Sequence, residues 1–255
     1  VKKVITHNID YQDGAGTYIE QFHPLATKVL DYGFVGTWNY RSQTDTYALV
    51  AREIRINHGP LGALYTQDYI SEGDTPAFFY SLPNGLRGGD HPTYGGWGGR
   101  YMPSKHDPNV FVDAYDAGSR LQSQARWIRD ANADFMARLD WSVASKYNQA
   151  NHAPIMELQN ETDLTVKSGE EFELSIEGTI DPDGDLVDIH WWIYEDAGTF
   201  RGDYNTKYQE GYVYRATAPQ VDEPKTIHII AEASDFPAIT PSLKAYQRFV
   251  ITVTP

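Results

Sequence analysis

An α/β segment followed by an all-β sandwich is the fold class this sequence predicts. Three observations predict it. The hydrophobic period changes near NQANHAPIMEL, residues 148–158: mixed helix and strand signals precede it and strand signals alone follow. From Asp163 onward, alternating runs are separated by turn residues. The chain is 255 residues long, enough for one large domain or two modest ones. A boundary at about residue 150 gives an α/β part over 1–150 and a β part over 151–255.

In the first part, Lys3 to Ile5 reads as a short strand, GTYIEQFHPLATKVL has helical spacing and DYGFVGTWNY returns to the sheet. TDTYALVAREIRI is a second helix. TPAFFYSL is a third, with Pro76 in the first turn, where its missing N–H costs nothing. Residues 83–110, dense in Gly, Pro and Asn, read as loop. Tyr115 to Tyr147 has the clearest helical period, with Leu121, Ala125, Ile128, Phe135, Leu139 and Val143 at three- and four-residue steps; a run this long has room for a break. In the second part, LTVKSG, EFELSIEGTI, LVDIHWWIY, YVYRATAP, TIHIIAEAS and YQRFVITVTP read as strands, close to the count of an immunoglobulin-like sandwich.

Composition removes several functions. A formal net charge of −14 argues against nucleic acid and against an acidic membrane surface, both of which need clustered Lys and Arg. The absence of Cys excludes disulfides, thiolate metal sites and a Cys nucleophile. No apolar run approaches a membrane span and no signal peptide is present. The chain opens on Val, and VKKVIT reads as a strand starting abruptly, as in a mature or truncated piece. Gly-rich phosphate loops, Gly-x-Ser-x-Gly elbows and His-Glu-x-x-His motifs are missing, which weakens nucleotide, serine hydrolase and zinc protease readings. Aromatics reach 13 %, a richness that suits stacking on flat ligand faces and equally suits sandwich cores.

Chemistry-bearing residues cluster at a few places. In SEGDTPAFFYSLPNGL, Glu72 and Asp74 stand before a helix N-terminus; Asp74 either caps that helix or offers a carboxylate to a metal or a sugar hydroxyl. In THNIDYQDGAG, a strand end meets a helix start, the sheet edge where α/β folds bind ligands, and Asn8, Asp10 and Asp13 are ligand candidates or turn formers. YGGWGGRY surrounds Trp97 with glycines 95, 96, 98 and 99. These either let backbone approach a sugar that stacks on Trp97, with His91, Tyr94, Arg100 and Tyr101 as rim, or form tight turns around a structural Trp. In IHWWIY, alternation sends Ile189, Trp191 and Ile193 inward and His190, Trp192 and Tyr194 outward. Trp192 and Tyr194 would then lie about 7 Å apart on one surface, spaced for polysaccharide stacking; burial of Trp192 against the first domain is the alternative. In DPDGD, Asp181, Asp183 and Asp185 have calcium-loop spacing, but Trp192 stands where an EF-hand needs Glu, so a turn is expected, with room for a weak structural cation.

NIDYQDGAGTYI is similar to the strand-end pattern of nucleoside hydrolases, and GDTPAFFYSLPNGL resembles that family's late calcium-binding motif. The longer string HGPLGALY, EGDTPAFFYSLPNGL and HPTYGGWGGRY, together with DPDGDLVDIHWWIYEDAGTF and YQRFVITV, resembles a bacterial family of cellulose-binding proteins. That family joins a nucleoside-hydrolase-like, Rossmann-like α/β domain to an immunoglobulin-like domain. The resemblance implies an extracellular or periplasmic protein acting on plant or algal polysaccharide or oligosaccharide. It implies either a glycosidic-bond hydrolase, or its remnant, or a non-catalytic glycan-binding protein; a bare scaffold domain is the third reading. In the hydrolase reading Asp74, with Glu72 beside it, serves the catalytic centre as a calcium ligand, and Asn8 contacts sugar hydroxyls. His7 departs from the hydrolase pattern, which argues against ribose. The aspartate-rich first strand end that supplies most calcium ligands is absent from this sequence. The N-terminal half that would carry it is therefore an expected partner of the hydrolase reading.

Overall fold

The computed structural model describes residues 4–5, 50–65, 75–105, 110–119, 122–203 and 206–255. The chain divides into two compact units. One comprises Val1–Pro83 with Arg87–Tyr147, the other Asn84–Leu86 with Asn148–Pro255.

In the first unit, strand β1 (Val4–Ile5) pairs in parallel with β3 (Val110–Asp113), which pairs antiparallel with β2 (Tyr101–Pro103). Strand β2 falls where Gly and Pro density predicts loop, and β3 begins where that predicted loop ends. Three- and four-residue strands are decided by pairing and burial rather than by propensity, and Tyr101, Phe111 and Asp113 are all buried here. The described end of the second predicted helix is a π-helical turn, Val50–Ile54. Two short helices follow, α1 (Gly59–Leu64) and α2 (Thr75–Tyr80), each with Pro in its first turn. The long predicted helix is interrupted. Ala117 and Gly118 take φ of 47° and 79°, outside the helical region, and close a turn between Asp116 and Ser119. Helix α3 (Gln122–Ala125) then precedes α4 (Ile128–Val143). Trp127 fills the break, its indole N–H donating to the Ser123 carbonyl at 3.2 Å. Along α4, Ala131, Ala137 and Leu139 are buried, whereas Val143 is exposed. His58 fixes the other side of this helix, its Nε2 lying 2.9 Å from Asp140 and its Nδ1 3.0 Å from the Ile54 carbonyl.

The second unit is a sandwich of seven strands. One sheet has the order β4 (Asp163–Lys167), β10 (Lys244–Thr254), β9 (Lys225–Phe236), β6 (Leu186–Ile193); the other has β5 (Glu171–Ser175), β8 (Val213–Thr217), β7 (Thr206–Glu210). The six strands read from alternation are present within a few residues. The seventh, β7, has the polar sequence TKYQE with a register shift between Thr206 and Tyr208, and only its pairing with β8 defines it. Trp191 lies at the centre of the core, 5.5 Å from the Tyr214 ring on the facing sheet and 5.9 Å from Phe249. Ile189 and Ile193 pack on the same cluster, as alternation requires. Burying each such side chain contributes about 1.5–3 kcal/mol.

Residues Asn84–Leu86 belong to this second core. Arg248, fully buried, donates from its backbone N–H to Gly85 O at 3.0 Å and from Nε to Leu86 O at 2.6 Å. Gly85 has φ of 82°, and a Cβ there would sit 1.8 Å from the Tyr246 carbonyl oxygen, so only glycine fits.

Candidate functional site

Asn8, Asp10, Asp13, Glu72 and Asp74 lie outside the described residues, as does His7. The remaining sequence-derived candidates fall in the glycine-rich loop of the first unit and, in the second, around β6 and in the DPDGD turn before it.

The glycine-rich loop of the first unit folds inward. Trp97 is 5 % exposed and meets Phe79 edge-on, with centroids 5.6 Å apart and planes at 75°. Tyr101 is also buried and its hydroxyl donates to Gly98 O at 2.6 Å. Gly95 and Gly99 take φ of 79° and 91°, so the glycines serve turns that wrap the indole. Arg100 points into the fold: Nε donates to buried Asp116 at 2.7 Å and Nη2 to Tyr115 O at 2.9 Å, while Arg126 approaches the same carboxylate at 3.5 Å. The rim expected around an open Trp97 is therefore reduced to His91 and Tyr94. Their rings stack at 4.6 Å, with the Arg87 guanidinium 5.6 Å from Tyr94.

In the second unit the expected outward pair is corrected. Tyr194 has the outward parity but is fully buried. The Arg248 guanidinium lies 5.3 Å from its ring, and Trp192 leans on it at 5.4 Å and 42°. Trp192 is half-buried and its indole N–H donates to Glu232 at 2.8 Å, while Lys244 holds the other oxygen of Glu232 at 3.1 Å. The two rings are neighbours, but they do not form an open stacking platform.

Beside Tyr194 lies a cavity of about 300 Å³, lined within this unit by Ile193, Tyr194, Glu195, Gly198 and Phe200 to Asp203, with Thr226 to His228 as floor. The loop after β6 shapes it. Arg201 Nη1 donates to the carbonyls of Glu195, Gly198 and Phe200 at 2.9, 2.8 and 2.9 Å, which fixes the guanidinium on its own turn. Nothing among the described residues takes its Nε and Nη2, nor the carboxylates of Glu195 and Asp203. A Cβ on Gly198 would meet Thr226 O at 2.7 Å, and one on Gly202 would meet the Phe200 ring at 3.0 Å. Gly198 therefore lets the loop pass close to the Thr226 backbone, and Gly202 lets it pass close to the Phe200 ring. His228 closes the floor, its Nδ1 2.9 Å from Arg248. Residues that carry donors and acceptors line one space beside aromatic residues, a composition that suits a neutral, hydroxyl-rich ligand. The sequence signal missed was GTFRGD, an aromatic and charged run held between glycines on a connecting loop.

Asp181, Asp183 and Asp185 form a turn, as expected: Asp181 Oδ1 accepts from the backbone N–H groups of Asp183 and Asp185 at 2.8 and 3.2 Å. Among the described residues no group of three or more His, Asp or Glu side chains is placed to hold a metal ion. None of the described helices is long and apolar enough to cross a membrane.

Fold and site define a class: an α/β unit followed by a β-sandwich that carries a polar, aromatic-edged cavity. The particular family follows from comparison. Residues 1–101 match the nucleoside hydrolase-like domain of the family described as cellulose-binding Sde182, and residues 171–253 match the C-terminal domain of cellulose-binding protein Sde0182. Each match covers less than half of the chain, so its two parts are similar to the two domains of this family. A similar solved structure is a nucleoside hydrolase-related hypothetical protein from Saccharophagus degradans that is described as associated with carbohydrate metabolism. The two are 28 % identical over 95 % of this chain, with a TM-score of 0.73, and this chain spans 61 % of that protein's length. No curated protein matches the chain.

Proposed function

We propose that this protein binds cellulose or a related plant or algal polysaccharide outside the cell or in the periplasm, and that the cavity beside Tyr194 receives one sugar residue of that chain. One observation carries the reading: donors on Arg201 and acceptors on Glu195 and Asp203, uncommitted among the described residues, belong to side chains that line one cavity with Phe200. A sugar hydroxyl both donates and accepts, so it satisfies both kinds of group at once. Two carboxylates against one guanidinium repel an anionic ligand. The volume lies at the small end of ligand sites, roughly 300–1,000 Å³, which suits one ring rather than a long stretch of chain. Likeness to domains of a family described as cellulose-binding supports the choice of polymer. Retention on microcrystalline cellulose tests it. The wild-type chain is expected to be retained, with Arg201→Ala and Phe200→Ala binding at least about tenfold more weakly at unchanged melting temperature. A wild-type chain that washes through cellulose contradicts the proposal.

Hydrolysis of the bound glycan is the second reading, supported by the likeness of residues 1–101 to a nucleoside hydrolase-like domain. It puts Asp74 at a calcium ion with Glu72 nearby. Calcium would supply an acidified, oriented water for attack on an anomeric carbon. Release of reducing sugar that stops with chelator and with Asp74→Asn is the expected result; no release in calcium-containing buffer ends this reading.

A further inference from the structure

The DPDGD turn explains one oxygen of Asp181 and leaves the other. Asp181 is 8 % exposed, and its Oδ2 is buried and accepts nothing among the described residues. Asp235, at the end of β9, is 1 % exposed. Its Oδ1 accepts from the Leu243 N–H at 2.7 Å and its Oδ2 from the Asn151 side-chain amide at 2.7 Å. The same amide donates to Pro241 O at 2.9 Å. The next residue, His152, reaches the turn instead: its backbone N–H donates to Asp183 Oδ2 at 2.7 Å and its Nδ1 lies 3.1 Å from that carboxylate. The dipeptide Asn151–His152 thus straps the turn to the end of β9. Neither Asp181 nor Asp235 has an ion-pair partner among the described residues. Asp183, with His152 against it, and Asp185 are the other titratable groups at this place.

Burial pushes the Asp235 carboxyl above its ordinary range, with a further upward push from the Asp181 charge, against the lowering by hydrogen bonds from Leu243, Asn151 and Ser242. Two carboxylates removed from water with no cation beside them carry a large desolvation cost. Hydrogen bonds satisfy Asp235 and half of Asp181, but they supply no positive charge.

We propose that Asp181, Asp235 and the side-chain oxygen of Asn151 hold a divalent cation that ties the DPDGD turn to the end of β9. The Asn151 amide would turn half over from the orientation seen here to present its oxygen, a change that keeps its shape. The Pro241 carbonyl, already against that amide, is a further oxygen. All the donors are hard oxygens on irregular chain, a set that suits calcium, which tolerates variable geometry, over magnesium, which demands an octahedron.

The test uses the whole chain stripped with EDTA. Calcium chloride is expected to raise the melting temperature by about 3 °C or more, with magnesium chloride giving less. Asp181→Asn keeps an oxygen for the turn amides, and is expected to fold and to lose the calcium response. In amide-resolved NMR of the wild type, calcium is expected to move the Asp183, Asp185 and Leu243 signals. No calcium response in the wild type, a full response in Asp181→Asn, or shifts confined to other residues would each overturn the proposal.

Discussion

Trp97 and Tyr80 carry the residue-scale consequences. An indole buried edge-on against Phe79 leaves a void when it is removed. Trp97→Ala is therefore expected to cost about 3–5 kcal/mol in denaturant unfolding, while cello-oligosaccharide binding in the folded fraction stays as in wild type. Lost binding at full stability would restore a ligand role to Trp97. Tyr80, edge-on to Tyr101 at 5.8 Å, has its pKa raised above 10.0 by burial first and by the Asp90 charge second. The folded state therefore holds this proton longer than the unfolded chain does. The contribution to stability is full below the ordinary tyrosine pKa and is lost as pH rises through the raised value. Tyr80→Phe is expected to flatten the fall in unfolding free energy between about pH 9 and 11; an unchanged slope contradicts this. The aromatic loop also marks a limit of sequence reading. Gly-Gly-Trp-Gly-Gly fits an open stacking site and a wrapped core residue equally well, and only the position of Phe79 separates them.

At the scale of elements, Arg248 on β10 joins Leu86, His228 and Tyr194 within one core. Arg248→Met removes the donors to Leu86 O and His228, and a charge-assisted bond of this kind is worth about 1.5–3 kcal/mol. A loss of that size in unfolding, with faster proteolytic cleavage near Asn84–Leu86, is expected; cleavage at the wild-type rate would show that Arg248 does not hold the segment. Strands with clean alternation were legible because one face of each is a core face, as in β6, where Trp191 is buried. Strand β7 was not legible, since TKYQE has neither alternation nor β-rich composition. The broken helix before Ile128 was only half legible: periodicity showed the apolar face, but not the left-handed Ala117–Gly118 turn. Tyr194 failed for a different reason. Parity told its side of the sheet, but not that Arg248 and Trp192 cover that side.

For the whole molecule, the order of an α/β part and a β part was readable from the change of period alone, and the family from short motifs in both parts. The cavity was not readable. It is assembled from the end of β6, the Gly198–Asp203 loop and Thr226–His228, which come together only once β6 and β9 pair. The proposed glycan site lies on the sandwich, at a loop of exposed charged residues that are cheap to change. Asp203→Asn should weaken cellotetraose binding several-fold without altering the melting temperature, whereas an anionic hexuronic acid oligomer should bind less well than the neutral one. The most direct measurement is isothermal titration of cellotetraose into the wild-type chain and into Arg201→Ala. Saturable binding by the wild type, lost or weakened at least about tenfold in the variant, is the predicted result. Equal binding by both, or none by the wild type, would contradict a sugar site beside Tyr194.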